Sequence, residues 1–412
     1  MNFFRNSIFY GLFCLNWIEL LCSSVYFFIY KNKIQIRRDY INKPLFVLVL
    51  IIVYSVVSFS FLEYDLKKLF QQSFLFFLFI IMYGTFFSIN EKKLDDIFKG
   101  YLNASFVVSI LGLVQVVFYY LTFVDIFAHF SWLGRAHCIT NSLIRLHSIC
   151  PEGGQLGTVL SPAIVYIIYF KDKWNFLGWK KWVIVIAGLM TFSITFFIAL
   201  FFSLYFRFVS KNKIVDIIVL ILLIMWGVNF IVVTSGKYSR AEEKSGLAGI
   251  EMRLAESAAL LFSLNDLESI KNTNTSTYAW MTNFYVSRHA PYRIFGTGLG
   301  SHQQNYLNVY HDDSAYAYGL NSEDGYSLLN RIFSEFGILG LICYICMIFR
   351  HVDRNDVVSF SVLFFIIGSF LRGGNYFLTG CIFFHYLFFL AKKQNYQNKL
   401  NAKILQENVY NA

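Results

Sequence analysis

Residues Trp182 to Phe208 read WVIVIAGLMTFSITFFIALFFSLYFRF. The stretch is longer than the roughly 20 apolar residues that one bilayer crossing needs. Polar Thr191, Ser193 and Thr195 sit at its middle. Basic loops flank it: Lys171, Lys173, Lys180 and Lys181 before it, Arg207, Lys211 and Lys213 after it. Cytoplasmic loops of membrane proteins collect Lys and Arg. A single helix would put these two loops on opposite faces. Two short helices in a hairpin return the chain to the face it left, and that is the reading the charge pattern predicts.

The whole chain has the composition of a multi-pass helical membrane protein. It is 57% hydrophobic and 20% aromatic, only 15% charged, with 47 Phe and 4 Pro. Apolar windows lie at 7–30, 44–62, 70–89, 101–124, 155–170, 182–208, 214–234, 328–349, 357–371 and 376–391. The first is too long for a signal-peptide core and lacks a small-residue cleavage site, so it reads as a retained helix. The net charge of +10 does not point to nucleic acid, because its residues sit in short loops between the windows. Lys31, Lys33, Arg37, Arg38 and Lys43 form one such loop, and Lys392 and Lys393 begin the tail.

With the loop at 31–43 in the cytoplasm, the N-terminus lies outside. Counting crossings then puts 125–153 and the long polar stretch 235–327 outside, and 171–181, 207–213 and the tail 392–412 inside. The predicted fold is an all-α integral membrane protein of about 11 (roughly 10 to 12) transmembrane segments with a large, partly helical outer loop. Its parts are N-terminal helices in 1–124, central helices in 154–234 with the hairpin at 182–208, and C-terminal helices in 328–391.

The chemistry-bearing residues concentrate in the two outer loops. The first contains Arg135, Arg145, Ser148, Pro151 and Glu152, and ends where a helix begins. Forked guanidinium groups at Arg135 and Arg145 suit a phosphate or pyrophosphate; snorkelling to lipid head groups is the equal alternative. The long loop opens with an amphipathic stretch, Gly249–Leu264, whose apolar stripe is flanked by Arg253. Arg253 either aims at a lipid-linked phosphate or pairs with Glu251 or Glu256. Further along lie Arg288, Arg293 and the turn Phe295-Gly-Thr-Gly-Leu-Gly300, which has neither the Lys nor the strand–turn–helix setting of a nucleotide site. Asp324, Tyr326 and Arg331 stand at the start of the next helix. Asp324 suits either a base for a sugar hydroxyl or a helix N-cap. Arg372 follows the window at 357–371. His302, His311, Asp312 and Asp313 lack a convincing metal spacing. Cys138 and Cys150 share the first outer loop, where a disulfide is possible; Cys14, Cys22, Cys343, Cys346 and Cys381 fall in apolar windows and read as packing residues.

Several elements, in this order, resemble the bacterial O-antigen polymerase family, within the O-antigen ligase and polymerase superfamily of polytopic glycosyltransferases. They are Arg145-x-x-Ser148-x-x-x-Glu152, Arg253 beside its amphipathic stretch, the glycine turn at 296–300, and Glu335-x-Gly-x-x-Gly340 after the long loop. Two departures stand out. Polymerases often carry Pro after the first Glu, where this chain has Gly153. Ligases usually carry a His-Asn pair where this chain has Tyr326 and Ser327, which favours the polymerase.

The resemblance implies a GT-C-type membrane fold in the bacterial inner membrane with its site on the periplasmic face. It implies an inverting, metal-independent transfer of glycan from undecaprenyl pyrophosphate to the non-reducing end of a lipid-linked repeat unit, with no cofactor. In that scheme Arg145, Arg253, Arg135 and Arg372 face the pyrophosphate. Asp324 or Glu152 orients or deprotonates the acceptor. Ser148, Tyr326, Arg331, Arg288 and Arg293 line the substrate. The family works with a flippase and a chain-length regulator, which makes both expected partners. An O-antigen ligase and a lipid-linked oligosaccharide flippase are the rival readings.

Overall fold

The computed structural model describes residues 7–30, 38–90, 93–131, 138–140, 143–209, 275–311 and 318–391. Among the described residues, four helices are long and apolar enough to cross a membrane: α3 (Asp39–Leu62), α4 (Lys67–Ile89), α5 (Leu94–Thr122) and α11 (Leu328–His351). Their outer faces carry bare apolar side chains; on α3 alone Phe46, Val49, Val53 and Phe61 are more than half exposed. In water such a face would drive aggregation. Against lipid it is an ordinary contact surface, and the chain is a helical membrane protein.

The window at 7–30 departs from the expected single helix. Helix α1 (Ser7–Gly11) and helix α2 (Asn16–Tyr30) are separated by a turn. Ser7 donates its hydroxyl to the Cys22 carbonyl at 3.0 Å, and a Cβ on Gly11 would lie 3.1 Å from Glu19 Cα. The two helices therefore run antiparallel, and the window doubles back. The turn is buried, with Leu12 and Phe13 wholly covered, so it needs no polar loop.

The stretch at 182–208 forms two helices, α7 (Lys180–Met190) and α8 (Ile194–Phe208). Phe192 adopts a left-handed φ of 47° between them. The tip is pinned to the start of α6 (Gly153–Ile168). Ser193 Oγ donates to the Gly154 carbonyl at 3.2 Å, and the Thr158, Ser193 and Thr195 hydroxyls form a buried chain. A Cβ on Gly157 would lie 2.3 Å from Ser193 Cβ, so the small residue is what lets the tip reach α6, as at other close helix contacts in membranes.

Two further breaks lie beside the tip. Helix α11 is interrupted at Gly337, whose φ is 67°. The amides freed there are taken up by a neighbouring turn: Ile338 donates to the Arg293 carbonyl and Leu339 to that of Ile294, each at 3.0 Å. Helix α12 (Val357–Leu371) ends in an irregular segment, 372–380, before the last helix α13 (Cys381–Ala391). Tyr376 and Phe377 of that segment pack on Phe76 and Phe79 of α4. Non-helical backbone survives at this depth because protein covers it. The polar helices α9 (Thr275–His289) and α10 (His302–Val309) cap this end, and a two-stranded hairpin, β1 (Cys138–Thr140) with β2 (Leu143–Ile144), precedes α6.

These breaks gather irregular backbone at one end of the described bundle. At about 1.5 Å per residue, α6 and α12 span roughly 24 and 22 Å, and α7 only about 16 Å, against a hydrocarbon core of about 30 Å. The residues discussed next lie where the start of α6, the hairpin tip and the end of α12 come together.

Candidate functional site

Glu152 is the N-cap residue of α6, with extended backbone. Its carboxylate faces Arg372, which lies just beyond the end of α12. Arg372 Nε donates to Glu152 Oε1 at 2.8 Å and Nη2 to Oε2 at 2.7 Å. This is the forked geometry in which both partners hold each other's orientation. The side chains are 17% and 18% exposed, so the pair is mostly covered but reachable at one edge. Gly154 makes room for it: a Cβ there would sit 2.6 Å from Arg372 Nε. Burial by itself would lower the guanidinium's pKa, but Glu152 and Tyr326 raise it above its ordinary value.

Tyr326 closes the next side. Its ring lies under the Arg372 guanidinium at 5.6 Å, and its carbonyl accepts from Gly373 and Gly374 N–H at 2.9 and 3.2 Å. Asp324 stands two residues before it. Asp324 Oδ1 accepts from the Tyr326 amide at 3.0 Å and from Asn321 Nδ2 at 3.3 Å. It is not the N-cap of α11; that role belongs to Ser327, whose hydroxyl accepts from Asn330 N–H. Burial lifts the Asp324 carboxyl above the ordinary carboxylate range, and the Tyr326 amide and Arg331 charge offset this only in part. A carboxylate so placed is a better proton acceptor than a free one.

Arg145 reaches the hairpin tip. Its Nε donates to the Thr191 carbonyl at the hairpin tip, 3.2 Å away, and its Cβ is one of the atoms nearest to Gly153. The loop carrying it is locked to α5. Gln115 accepts from the amides of His147 and Ser148 and donates to Asp125. The His147 ring bridges Asp125 Oδ2 at 2.9 Å and the Cys150 carbonyl at 3.0 Å. Burial pushes Asp125 up, yet His147, Gln115 and the Phe127 amide together hold it below its ordinary value.

Two expectations need correction. Ser148 does not face a substrate: it is wholly buried, and its hydroxyl donates to the Val108 carbonyl of α5 at 2.9 Å. Arg331 is 2% exposed and paired with Glu335 one turn along α11 at 3.1 Å. Its Nη1 donates to the Gly374 carbonyl, its guanidinium stacks on Tyr376, and Tyr376 donates to Glu335. Arg331 therefore fixes the segment 372–380 and points into protein. Cys150 is a free, buried thiol; burial raises its pKa well above the ordinary thiol value.

Arg288 sits half-buried in the last turn of α9, and Arg293 is exposed on the turn that fills the α11 break. The glycine turn at 296–300 packs against that break: Gly298 N–H donates to the Glu335 carbonyl at 2.8 Å, and Leu299 N–H to Ser55 Oγ at 2.8 Å. Arg135, Arg253 and the stretch Gly249–Leu264 lie outside the described residues. Among the described residues no cluster of His, Cys, Asp or Glu is built to hold a metal ion.

Glu335 and Tyr376 enter the site's support without having been assigned a role. The i,i+4 spacing of Arg331 and Glu335 on an apolar helix was the available signal. His147 and Asp125 had none, since their partner Gln115 lies inside an apolar window.

Comparison with protein-family models, with curated proteins and with solved structures returned no match.

Proposed function

We propose that this chain is a bacterial O-antigen polymerase, a multi-pass enzyme of about 11 segments in the inner membrane with its site on the periplasmic side. The observation that carries the reading is the Glu152–Arg372 fork. It is a charged, oriented pair among short-helix ends, and Tyr376, on the segment that Arg372 begins, also lines a wide apolar groove. The groove has a volume of about 870 Å³, and Val47, Phe76, Ile332 and Tyr376 are among its walls. A lipid-linked sugar needs both surroundings together.

In this reading the donor's pyrophosphate lies against Arg372 and Arg145, with Arg135 and Arg253 brought in from the outer loops. The acceptor's terminal hydroxyl attacks the donor's anomeric carbon from the opposite face. A glycosidic C–O bond forms and the bond to pyrophosphate oxygen breaks. Fixed guanidinium groups meet the charge that grows on the leaving group, where preorganised donors count most. Glu152 is occupied in orienting Arg372, which leaves Asp324 as the carboxylate that takes the hydroxyl proton. No nucleotide, metal or other cofactor enters. Undecaprenyl-pyrophosphate-linked oligosaccharide is both donor and acceptor, and a flippase and a chain-length regulator are the expected partners.

A gel of surface glycan from a deletion strain tests the reading. Lipid A carrying a single repeat unit and nothing longer supports it. Lipid A with no glycan at all, together with accumulated lipid-linked polymer, would instead identify a ligase. Lipid-linked units confined to the inner leaflet would identify a flippase.

A further inference from the structure

Within the long polar stretch, residues 290–300 read APYRIFGTGLG, with Arg293 their only charge. This is the turn that fills the break in α11. It is held from two sides, and each side fixes its depth. On α3, the Tyr54 hydroxyl donates to the carbonyls of Phe295 and Gly296 at 3.2 and 2.6 Å, and Ser55 Oγ accepts from Leu299 N–H at 2.8 Å. At about 1.5 Å per residue, Tyr54 stands roughly 12 Å below the end of α3 at Leu62. On α11, the break at Gly337 stands roughly 14 Å from the helix start at Leu328 by the same measure. Each helix has 24 residues, about 36 Å, and overhangs a hydrocarbon core of about 30 Å by only a few ångströms at each end. A turn bonded at these two points lies at the depth of the hydrocarbon.

Backbone at such depth needs its polar groups satisfied by protein, and this turn has partners along its length. The Tyr292 carbonyl accepts from Phe295 and Gly296 N–H at 2.9 and 2.6 Å, the carbonyls of Arg293 and Ile294 accept from α11, and Gly298 N–H donates to the Glu335 carbonyl. Glycine lets the turn in: a Cβ on Gly298 would lie 2.8 Å from Ser55 Cα, and one on Gly296 2.4 Å from the Glu335 carbonyl oxygen.

Its large side chains stay outside. Tyr292, Ile294 and Phe295 are each half exposed or more. The helix residues next to its anchor points are exposed too, Val53 and Val57 on α3 and Ile338 and Leu339 on α11. The turn's apolar side chains therefore continue the lipid-facing surface of two membrane-crossing helices.

We propose that residues 292–295 form a wedge inserted in the bilayer, whose side chains bind lipid acyl chains. Arg293 suits that place, because a long cationic side chain keeps its stem among the chains while its head rises toward the phosphates. The stretch between α9 and α10 then re-enters the membrane instead of lying wholly outside it. Leu299 lines the wide apolar groove, so the same turn contributes to that groove as well as to the lipid-facing surface. The proposal rests on the chain being embedded in a membrane and not on its being a polymerase.

Photolabelling of the full native chain in phosphatidylcholine vesicles tests this, with a diazirine midway along one acyl chain and adducts mapped by peptide mass spectrometry. Helix α10 is the reference outside the hydrocarbon, since Gln304 and Asn308 bond to Asp65 and Tyr64, beyond the end of α3. Label on 292–295 is expected to match that on Val53 and Val57 and to exceed that on α10 at least about tenfold, because the diazirine stays in the hydrocarbon layer. Label on α3 with the turn no higher than α10 overturns the proposal. A second measurement puts photoreactive benzoylphenylalanine in place of Phe295, and a phospholipid adduct is expected. A covalent dimer, or a crosslink within the chain, without a lipid adduct would make the occupant protein and overturn it. The same substitution at Leu307, exposed on α10, is expected to give no lipid adduct; equal yield there would mean that exposure alone accounts for the label, which also overturns the proposal.

Discussion

Arg372 and Glu152, 220 residues apart in the chain, share two hydrogen bonds of 2.8 and 2.7 Å. One residue ends α12 and the other begins α6, so the pair ties the end of α12 to the loop before α6. It also holds a directed positive charge at the candidate site.

Replacing Arg372 tests that role. Arg372→Ala is expected to abolish chain lengthening, and Arg372→Lys to lower it by at least about a hundredfold, since a lysine cannot reproduce the fork. Glu152→Gln should cost nearly as much, and the double variant little more than either alone, because residues acting as a unit are non-additive. Surface-glycan length and protein abundance in membranes are the readouts; simple additivity would contradict the assignment.

Gly154→Ala is a smaller change with a defined target. The new methyl group meets the Arg372 guanidinium and must push it off Glu152. Polymer length should collapse while thermal unfolding in detergent shifts by no more than a few degrees, in keeping with about 1 kcal/mol.

The Arg331–Glu335 pair should behave in the reverse way. Both side chains are essentially buried, and removing one partner of such a pair costs about 3–5 kcal/mol. Glu335→Ala is expected to deplete the protein from membranes, as immunoblotting would show. Normal abundance with lost polymer would instead move this pair into the chemistry.

His302 supplies an acid-sensitive component of stability. Its Nε2 pairs with Asn283 Oδ1 at 2.8 Å, and burial, aided by the Arg331 charge, pushes its pKa down from 6.5 to about 3. Between those values only the unfolded chain takes up the proton. Stability from this group is therefore complete above about pH 6.5 and falls as pH drops toward 3, by at most about 1.4 kcal/mol per pH unit. Unfolding temperatures of the native chain and of His302→Gln, compared from pH 7 to 4, should diverge in slope; parallel curves would exclude this histidine.

Cys150 should resist maleimide in native membranes and react only after denaturation, because its thiol is buried and free. Reductant should leave polymer length unchanged.

The hairpin at 182–208 was legible because its turn is polar and both its flanks are basic. The turn-back at 11–15 was not. Gly11-Leu-Phe-Cys-Leu15 is apolar throughout, and what bends it is contact with Glu19, Cys22 and Gly380, which no local pattern reveals. The same holds for 376–380, where apolar composition does not separate a covered loop from a helix. Residue type singled out Glu152, Arg145, Arg372, Asp324 and Tyr326; Glu152, Arg372, Tyr326 and Asp324 are linked by contacts, and Arg145 reaches the hairpin tip beside Gly153. Spacing did not reveal direction, so Ser148 and Arg331 were placed among the substrate contacts when both point into protein.

The short helices α6, α7 and α12 have fixed lengths, whereas a surrounding bilayer does not. Lipid adjusts its thickness to a protein at modest cost. The closer head-group water stands to Arg372 and Glu152, the weaker their charge interaction becomes. Under the proposed function, membrane thickness thereby becomes a variable of the site, set by the lipid and not by the chain.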